Sequence, residues 1–424
     1  MLENENKNTN DEYINNCEKA CQHTSYSFSD RCKNLEGNAI REIFKLLAQP
    51  DIISFAGGMP AGDTLPKTDI KTIIAELLSS DKAVSLLQYG ATEGYLPYLL
   101  SGIEYVKRVG INNISLDHIL GISGGQQGID LACKAFLNKG DKVLVENPTY
   151  IAVLHILKTY EATAIPVKSS DAGIDLVDLE QKIIEHNPKM LYLVPTFSNP
   201  TGRTIDLEKR KALAVLASKY NIIILEDNPY AELRYDGTAL PAIKHFDKTG
   251  NIVYITSFSK TISPGMRIGL AVADPLIIRK LTIGKQATDV HTSTLSQAVV
   301  SEYLNRGLLS PSLEKNIPMY RKKRDVMLSA IEQHFPKCAE FNKPQGGLFI
   351  WVTLPESIDV SNKIFTQAIS RRVAYVSGDA FHADGSGKNT LRLNFSNATE
   401  DNIKKGIAVL GDILKEHTAV ISRM

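Results

Sequence analysis

"YITSFSKTISPGMRIG", residues 254–269, joins an apolar run to a lysine flanked by Ser257 and Ser259, with Arg267 close behind. The run IVYITSF (252–258) reads as a buried strand, and Pro264 and Gly265 break the chain after it. Most lysines are solvated surface charges, but the residues before Lys260 are too apolar for a surface loop. Serine hydroxyls with a nearby guanidinium suit an anion such as a phosphate. A lysine desolvated beside such a site can lose its proton and attack a carbonyl. The stretch therefore points to a nucleophilic lysine next to a phosphate cup, and so to a phosphorylated aldehyde as cofactor.

The flanking sequence repeats the strand pattern. HILGIS (118–123), KVLVEN (142–147), ATAIPV (162–167), MLYLVPT (190–196), NIIILED (221–227) and IGLAVA (268–273) join IVYITSF to make seven short apolar runs. Nearly continuous apolar character of this kind reads as parallel strands covered on both faces. GQQGIDLACKAFLNKG and DLEKRKALAVLASKY between them read as amphipathic helices. The alternation predicts an α/β domain with a mostly parallel seven-stranded sheet sandwiched by helices. A long helical region over about 285–335 comes next, then the strands GLFIWVTL (347–354), RVAYVS (372–377) and TLRLNFS (390–396), which read as a smaller α+β domain. The expected division is a poorly ordered leader (1–28), an N-terminal arm and helix leading into a substrate loop (29–60), a large cofactor-binding domain (61–300) and a small C-terminal domain (301–424).

Composition narrows the function classes. The 424 residues allow two or three domains, and 43% hydrophobic with 22% charged residues is ordinary for a globular protein. A formal net charge of +1 indicates no polyanionic partner, so no nucleic acid is expected. No apolar run approaches the ~20 residues needed to span a bilayer. The start, MLENENKNTNDEYINN, lacks the apolar core of a signal peptide, and the five cysteines form neither a zinc spacing nor a disulfide framework. These features fit a cytoplasmic location and no membrane partner.

Ligands of open α/β sheets sit beyond the carboxyl ends of strands. Five of these ends carry polar or aromatic residues: Gly124, Gly125 and Gln126 after HILGIS, Tyr150 after KVLVENP, Asn199 after MLYLVPT, Asp227 in NIIILED, and Lys260. A pyridoxal phosphate site needs such a set. Lys260 would bond the aldehyde. Asp227 would keep the ring nitrogen protonated, although Asp there also reads as a helix N-cap. Asn199 and Tyr230 would donate to the phenolic oxygen, although SNPTG alone reads as a turn. Backbone N–H groups of "SGGQQG" (123–128), with Ser257, Ser259 and Arg267, would hold the phosphate. Tyr150 would stack on the ring, or is simply a core aromatic.

"SGGQQGID", "ENPTY", "PTFSNPTG", "LEDNPYAELRY", "SFSKTISPGMRIG" and "LRLNFS" together resemble the class I/II aminotransferases of fold-type I pyridoxal phosphate enzymes. "SFAGGMPAGDTLP" and "LQYGATEGYLPY" resemble the branch containing kynurenine/α-aminoadipate aminotransferases. The resemblance implies roles residue by residue. Lys260, Asp227, Asn199, Tyr230 and Tyr150 match the cofactor-ring contacts. Gly125, Gln126, Ser257, Ser259 and Arg267 match the phosphate cup. Arg392 matches the arginine that grips the substrate α-carboxylate, with Asn199 beside it, and Gly58 matches a loop that approaches that carboxylate. Tyr89 matches a tyrosine that reaches the phosphate of a neighbouring subunit, which implies a homodimer with shared active sites. Position 125 departs from the pattern: close relatives often have serine there.

The implied reaction moves an amino group from an L-amino acid (aromatic, branched, 2-aminoadipate or similar) to 2-oxoglutarate by a ping-pong mechanism. The same site chemistry also serves lyases and decarboxylases. Some transcription regulators carry an aminotransferase-like effector domain, but the ~30 polar residues before the domain here are too few for a DNA-binding module. Arg41, in "NAIREIFKLL", matches an arginine that meets acidic substrate side chains, and reads equally as a solvated helix residue.

Overall fold

All seven apolar runs form strands. In the computed structural model, which describes residues 26–33 and 51–421, they are β2 to β4 and β6 to β9 of a chain-ordered set. That set is β1 (Ile53–Ser54), β2 (Ile119–Ile122), β3 (Lys142–Asn147), β4 (Thr163–Ser170), β5 (Gly173–Ile174), β6 (Met190–Leu193) and β7 (Ile223–Asp227). It continues with β8 (Ile252–Ser257), β9 (Gly269–Val272), β10 (Glu340–Phe341), β11 (Phe349–Thr353), β12 (Val373–Ala374), β13 (Val376–Ser377) and β14 (Thr390–Asn394). The chain divides into two units between Glu36 and Gly37. In the first, the described residues contain one short helix, Asp30–Lys33, with an exposed Asp30–Lys33 ion pair. Arg41 and residues 1–25 of the expected leader lie outside the described residues. All of these strands belong to the second unit.

The large sheet runs β2-β9-β8-β7-β6-β3-β4-β5. The pairs β4/β3, β3/β6, β6/β7 and β7/β8 are parallel, as expected. Two strands depart from the parallel reading. β9 is antiparallel to both β8 and β2, and the additional strand β5 folds back antiparallel on β4. A parallel return needs a crossover of a dozen or more residues. Between Ser257 and Gly269 the chain makes only the one-turn helix Pro264–Met266, so it can come back only antiparallel. The short return keeps Ser259 to Arg267 at the carboxyl end of the sheet.

Successive strand residues serve opposite faces, as the two-residue repeat requires. Val143, Val145, Met190, Tyr192, Leu225 and Val253 pack into one apolar cluster. Leu144, Leu191, Leu193, Ile224 and Ile252 pack into the other. Helix Gly125–Phe136 buries Ile129, Leu131, Ala132 and Cys133, and helix Leu207–Tyr220 is capped by the Asp206 side chain and ends at Asn221 in the left-handed region. Both local signals are legible in the sequence.

The long helical region expected over about 285–335 is made of three helices, Pro275–Asp289, Thr294–Asn305 and Leu309–His334. Val290 at φ 65° and the Ser293 N-cap end one and start the next, and Gly307 at φ 68° makes the second break. The C-terminal strands form an antiparallel sheet, β10-β11-β14-β13. β1 was not expected. It pairs parallel with β12 and draws the segment after it, Phe55 to Met59, against β14, where Asn394 N–H donates to the Phe55 carbonyl. Among the described residues no helix is long and apolar enough to cross a membrane.

Candidate active site

A cavity of about 280 Å³ opens where the carboxyl ends of β7 and β8 meet β14 and the Ala56–Met59 segment. Lys260 stands in the turn after β8. Its Nζ donates to the Gly58 carbonyl at 2.9 Å. Burial lowers its pKa to about 8, helped by the positive charges of Arg392 and Arg267 and opposed by Asp227.

Asp227 is the last residue of β7 and only 5% exposed. Oδ2 accepts from the Tyr192 hydroxyl at 2.8 Å, whereas Oδ1 is buried with no donor. Burial raises the carboxyl to about 6, against the pull of Tyr192 and Lys260. No helix begins at Asn228–Tyr230, so Asp227 does not act as a helix cap. Asn199 lies in a turn, as SNPTG suggests, and its Oδ1 accepts from Arg392 Nη1 at 2.7 Å.

Arg392, in the middle of β14, is 3% exposed. Its guanidinium lies 4.4 Å from the Phe349 ring centroid and 4.9 Å from that of Phe381. Nη2 donates to the Ala56 carbonyl at 2.5 Å, and Nε is buried without an acceptor. Burial lowers its pKa to about 10, with the phenols of Tyr230 and Tyr150 acting the other way. Tyr150, at the N-cap of helix Ile151–Thr159, has its hydroxyl pushed up to about 12 by burial and by Asp227. Tyr230 is buried edge-on to Phe349, and its phenol is also raised, mainly by burial.

The fourth wall is polar. Ser257 Oγ donates to Ser259 Oγ at 2.9 Å and accepts from the Ser259 N–H at 3.2 Å. Arg267, at φ 54°, points Nη2 at the Ser123 carbonyl, 3.2 Å away. Gly124, at φ 83°, caps helix Gly125–Phe136, and a β-carbon there would stand 2.5 Å from Arg267 Nη2. Gly125 and Gln126 open the helix, where first-turn N–H groups lack intrahelical partners. Lysine, carboxylate and polar wall thus line one cavity.

Tyr89 lies apart from that cavity. It is 81% exposed and edge-on to His291, with ring centroids 5.8 Å apart. Tyr192 is a participant that the sequence reading missed. A tyrosine inside the otherwise aliphatic run MLYLV was the available signal, because a buried hydroxyl needs a partner.

Residues 50–410 match the model of a protein family described as aminotransferase class I and II. The chain belongs to this family. It is 41% identical over 394 residues to an aromatic-amino-acid aminotransferase of Thermococcus litoralis, covering 92% of this chain and 94% of the relative. The crystal structure of a Pyrococcus horikoshii kynurenine aminotransferase, in complex with PMP, superposes with TM-score 0.88 at 42% identity, over 92% of this chain and 97% of that one. An α-aminoadipate aminotransferase from Thermus thermophilus, complexed with N-(5'-phosphopyridoxyl)-L-leucine, gives TM-score 0.86 at 34% identity, over 93% and 98%. The fold is that of fold-type I aminotransferases, a large mixed sheet with a smaller domain, and the enzyme depends on pyridoxal phosphate.

Proposed function

We propose that this aminotransferase moves the amino group of an aromatic, branched or 2-aminoadipate-like L-amino acid to 2-oxoglutarate in a ping-pong cycle. The observation that carries the reading is the pairing, in one cavity, of a lysine lowered to about 8 with a buried carboxylate whose Oδ1 has no donor. The range of donors rests on the aromatic, kynurenine and aminoadipate enzymes to which the chain is similar.

The residues fit pyridoxal phosphate. A protonated pyridine nitrogen would supply the donor that Asp227 Oδ1 lacks. Asn199 and Tyr230 would donate to the phenolic oxygen, and Tyr150 would lie against the ring. Gly125, Gln126, Ser257, Ser259 and Arg267 would hold the phosphate. When bound, the cofactor supplies an electron sink for negative charge at the substrate Cα.

The chain's own groups do the rest. Asp227 keeps a negative charge where the ring nitrogen needs one. Arg392 binds the substrate α-carboxylate by its planar fork, and Asn199 and the Gly57–Gly58 backbone orient it. Lys260 Nζ, uncharged above its lowered pKa, takes the proton from the substrate Cα. The Gly58 carbonyl, its present partner, keeps the amine directed across the cavity. Tyr89 would complete the phosphate site of a second copy in a homodimer, a role that its exposure supports. Residues 61–300 and 301–424 would form the large and small domains.

The test is a panel of amino donors against 2-oxoglutarate with glutamate formation as the readout. Aromatic amino acids or 2-aminoadipate should lead the panel. Amino transfer to other 2-oxo acids with none to 2-oxoglutarate would overturn the acceptor assignment. Release of carbon dioxide or ammonia without glutamate would overturn the transaminase reading itself.

A further inference from the structure

Lys285 is a lysine with no exposed side-chain surface, and the cavity does not include it. It lies in helix Pro275–Asp289, one turn before the helix end, and its Nζ donates to Asp289 Oδ1 and Oδ2 at 2.8 and 3.0 Å and to Gln127 Oε1 at 2.9 Å. Gln127 Nε2 in turn donates to Asp289 Oδ2 at 2.6 Å. Lys285 thus bonds the Gln127 and Asp289 side chains, and both of these bond Ser123. Its N–H donates to Gln127 Oε1 at 2.7 Å, and its hydroxyl donates to Asp289 Oδ2 at 2.9 Å and lies 3.0 Å from Thr292 Oγ1. Its carbonyl accepts from Arg267 Nη2.

This arrangement is costly as a mere helix stabiliser. Asp289 is the last residue of its helix, where a carboxylate opposes the helix dipole. Burying the lysine of an ion pair costs desolvation that the pairing repays only in part, and Asp289 keeps 29% of its side-chain surface exposed. Burial lowers the Lys285 pKa, against the pull of Asp289. Burial would raise the Asp289 carboxyl, but donation from Lys285, Gln127 and Ser123 more than offsets it and holds it below the usual carboxylate range. Lys285 thus ties Asp289 to Gln127, and both of those side chains bond a single residue, Ser123. That residue immediately precedes Gly124, Gly125 and Gln126, and its carbonyl fixes one nitrogen of Arg267.

We infer that Lys285, Asp289 and Gln127 form a clamp that positions the Ser123–Gln126 turn and Arg267 for the cofactor phosphate. The inference rests on the reading that this turn holds that phosphate. The clamp touches neither substrate nor cofactor. It acts through Ser123, at the start of the turn, and so bears on the phosphate end of the cofactor and not on its ring.

The experiment titrates full-length protein, freed of cofactor, with pyridoxal phosphate and with phosphate-free pyridoxal, following absorbance. In the unaltered protein, pyridoxal phosphate should bind far more tightly than pyridoxal. Loss of hydrogen bonds to a charged group in Asp289→Asn or Lys285→Met should weaken pyridoxal phosphate by about tenfold or more. Pyridoxal affinity should stay within about twofold, a difference well under one hydrogen bond. Ser123→Ala, which removes the hydroxyl at the receiving end, should reproduce the effect in part and serves if Lys285→Met does not fold. Equal weakening of both ligands, or of neither, in Asp289→Asn and Ser123→Ala would overturn the clamp. Equal affinity of the unaltered protein for the two ligands would instead overturn the phosphate cradle on which the clamp depends.

Discussion

The Tyr192 hydroxyl donates to Asp227 Oδ2 at 2.8 Å across two neighbouring parallel strands, and Oδ1 of the same carboxylate is left without a donor. One oxygen is anchored by the protein, and the other is open to the cofactor nitrogen of the proposed reading. Tyr192→Phe removes the anchor. The Asp227 pKa should then climb further above about 6, because a donor that favours the charged form is lost. Turnover should fall by about 10- to 100-fold, the equivalent of one hydrogen bond to a charged group. The acid limb of pyridoxal phosphate uptake by the cofactor-free protein should move to higher pH. A profile that does not move would show the bond to be structural only.

Asp227→Asn should make the cofactor-free protein more stable while slowing it. The folded-state pKa of Asp227 is raised from 3.8 to about 6, so the folded protein binds the proton more tightly than the unfolded chain. Its charge therefore lowers stability above about pH 6, and the penalty is absent below about pH 4. A shift of this size corresponds to about 1–3 kcal/mol. Denaturant melts of the cofactor-free variant and its parent should separate at pH 7 and converge near pH 4, and turnover of the loaded variant should fall by more than about tenfold.

Lys260→Ala should abolish turnover and leave the fold intact by circular dichroism. In the unaltered protein the lysine is lowered from 10.5 to about 8, so the amine becomes uncharged as pH rises through that value. The rate at which cofactor-free protein takes up pyridoxal phosphate should rise through about pH 8 and level off above it, as stopped-flow absorbance would record. A rate still climbing at pH 10 would mean that the amine titrates as an ordinary lysine.

Gly125→Ser tests the one departure from the family pattern. A β-carbon at this position would meet nothing closer than Asp227 Oδ1 at 3.6 Å, which is ordinary contact. The added hydroxyl should reach the phosphate and tighten pyridoxal phosphate binding by about 2- to 10-fold, the yield of one net hydrogen bond. Equilibrium titration gives the answer, and weaker binding would place the phosphate elsewhere.

Strand positions were legible because apolar runs between polar breaks can lie only in a covered sheet, and the polar residues at their ends marked the crevice. Tyr192 was not legible as a partner of Asp227. Their proximity follows from the register of β6 on β7, which sets Tyr192 opposite Leu225 and so brings Asp227, two residues on, to the same face. Register depends on packing that no local pattern reports. The clamp around Lys285 escaped for the same reason: its members come from helices far apart in sequence. The antiparallel course of β9 could have been read from the short link before it, but the apolar run alone carries no direction.

With Arg392 assigned to the substrate carboxylate, its present bonds acquire a meaning for selectivity. Nη1 is engaged by Asn199 and Nη2 by Ala56, while two aromatic rings close over its faces. Nε still lacks an acceptor, so an arriving anion meets one free donor beside two that are already engaged. A halide or an alcohol has no pair of coplanar oxygens, so it cannot match the planar fork with two parallel bonds. A carboxylate brings two coplanar oxygens and can. On the proposed reading, Arg392 thus favours amino and oxo acids over simple anions by shape as well as by charge.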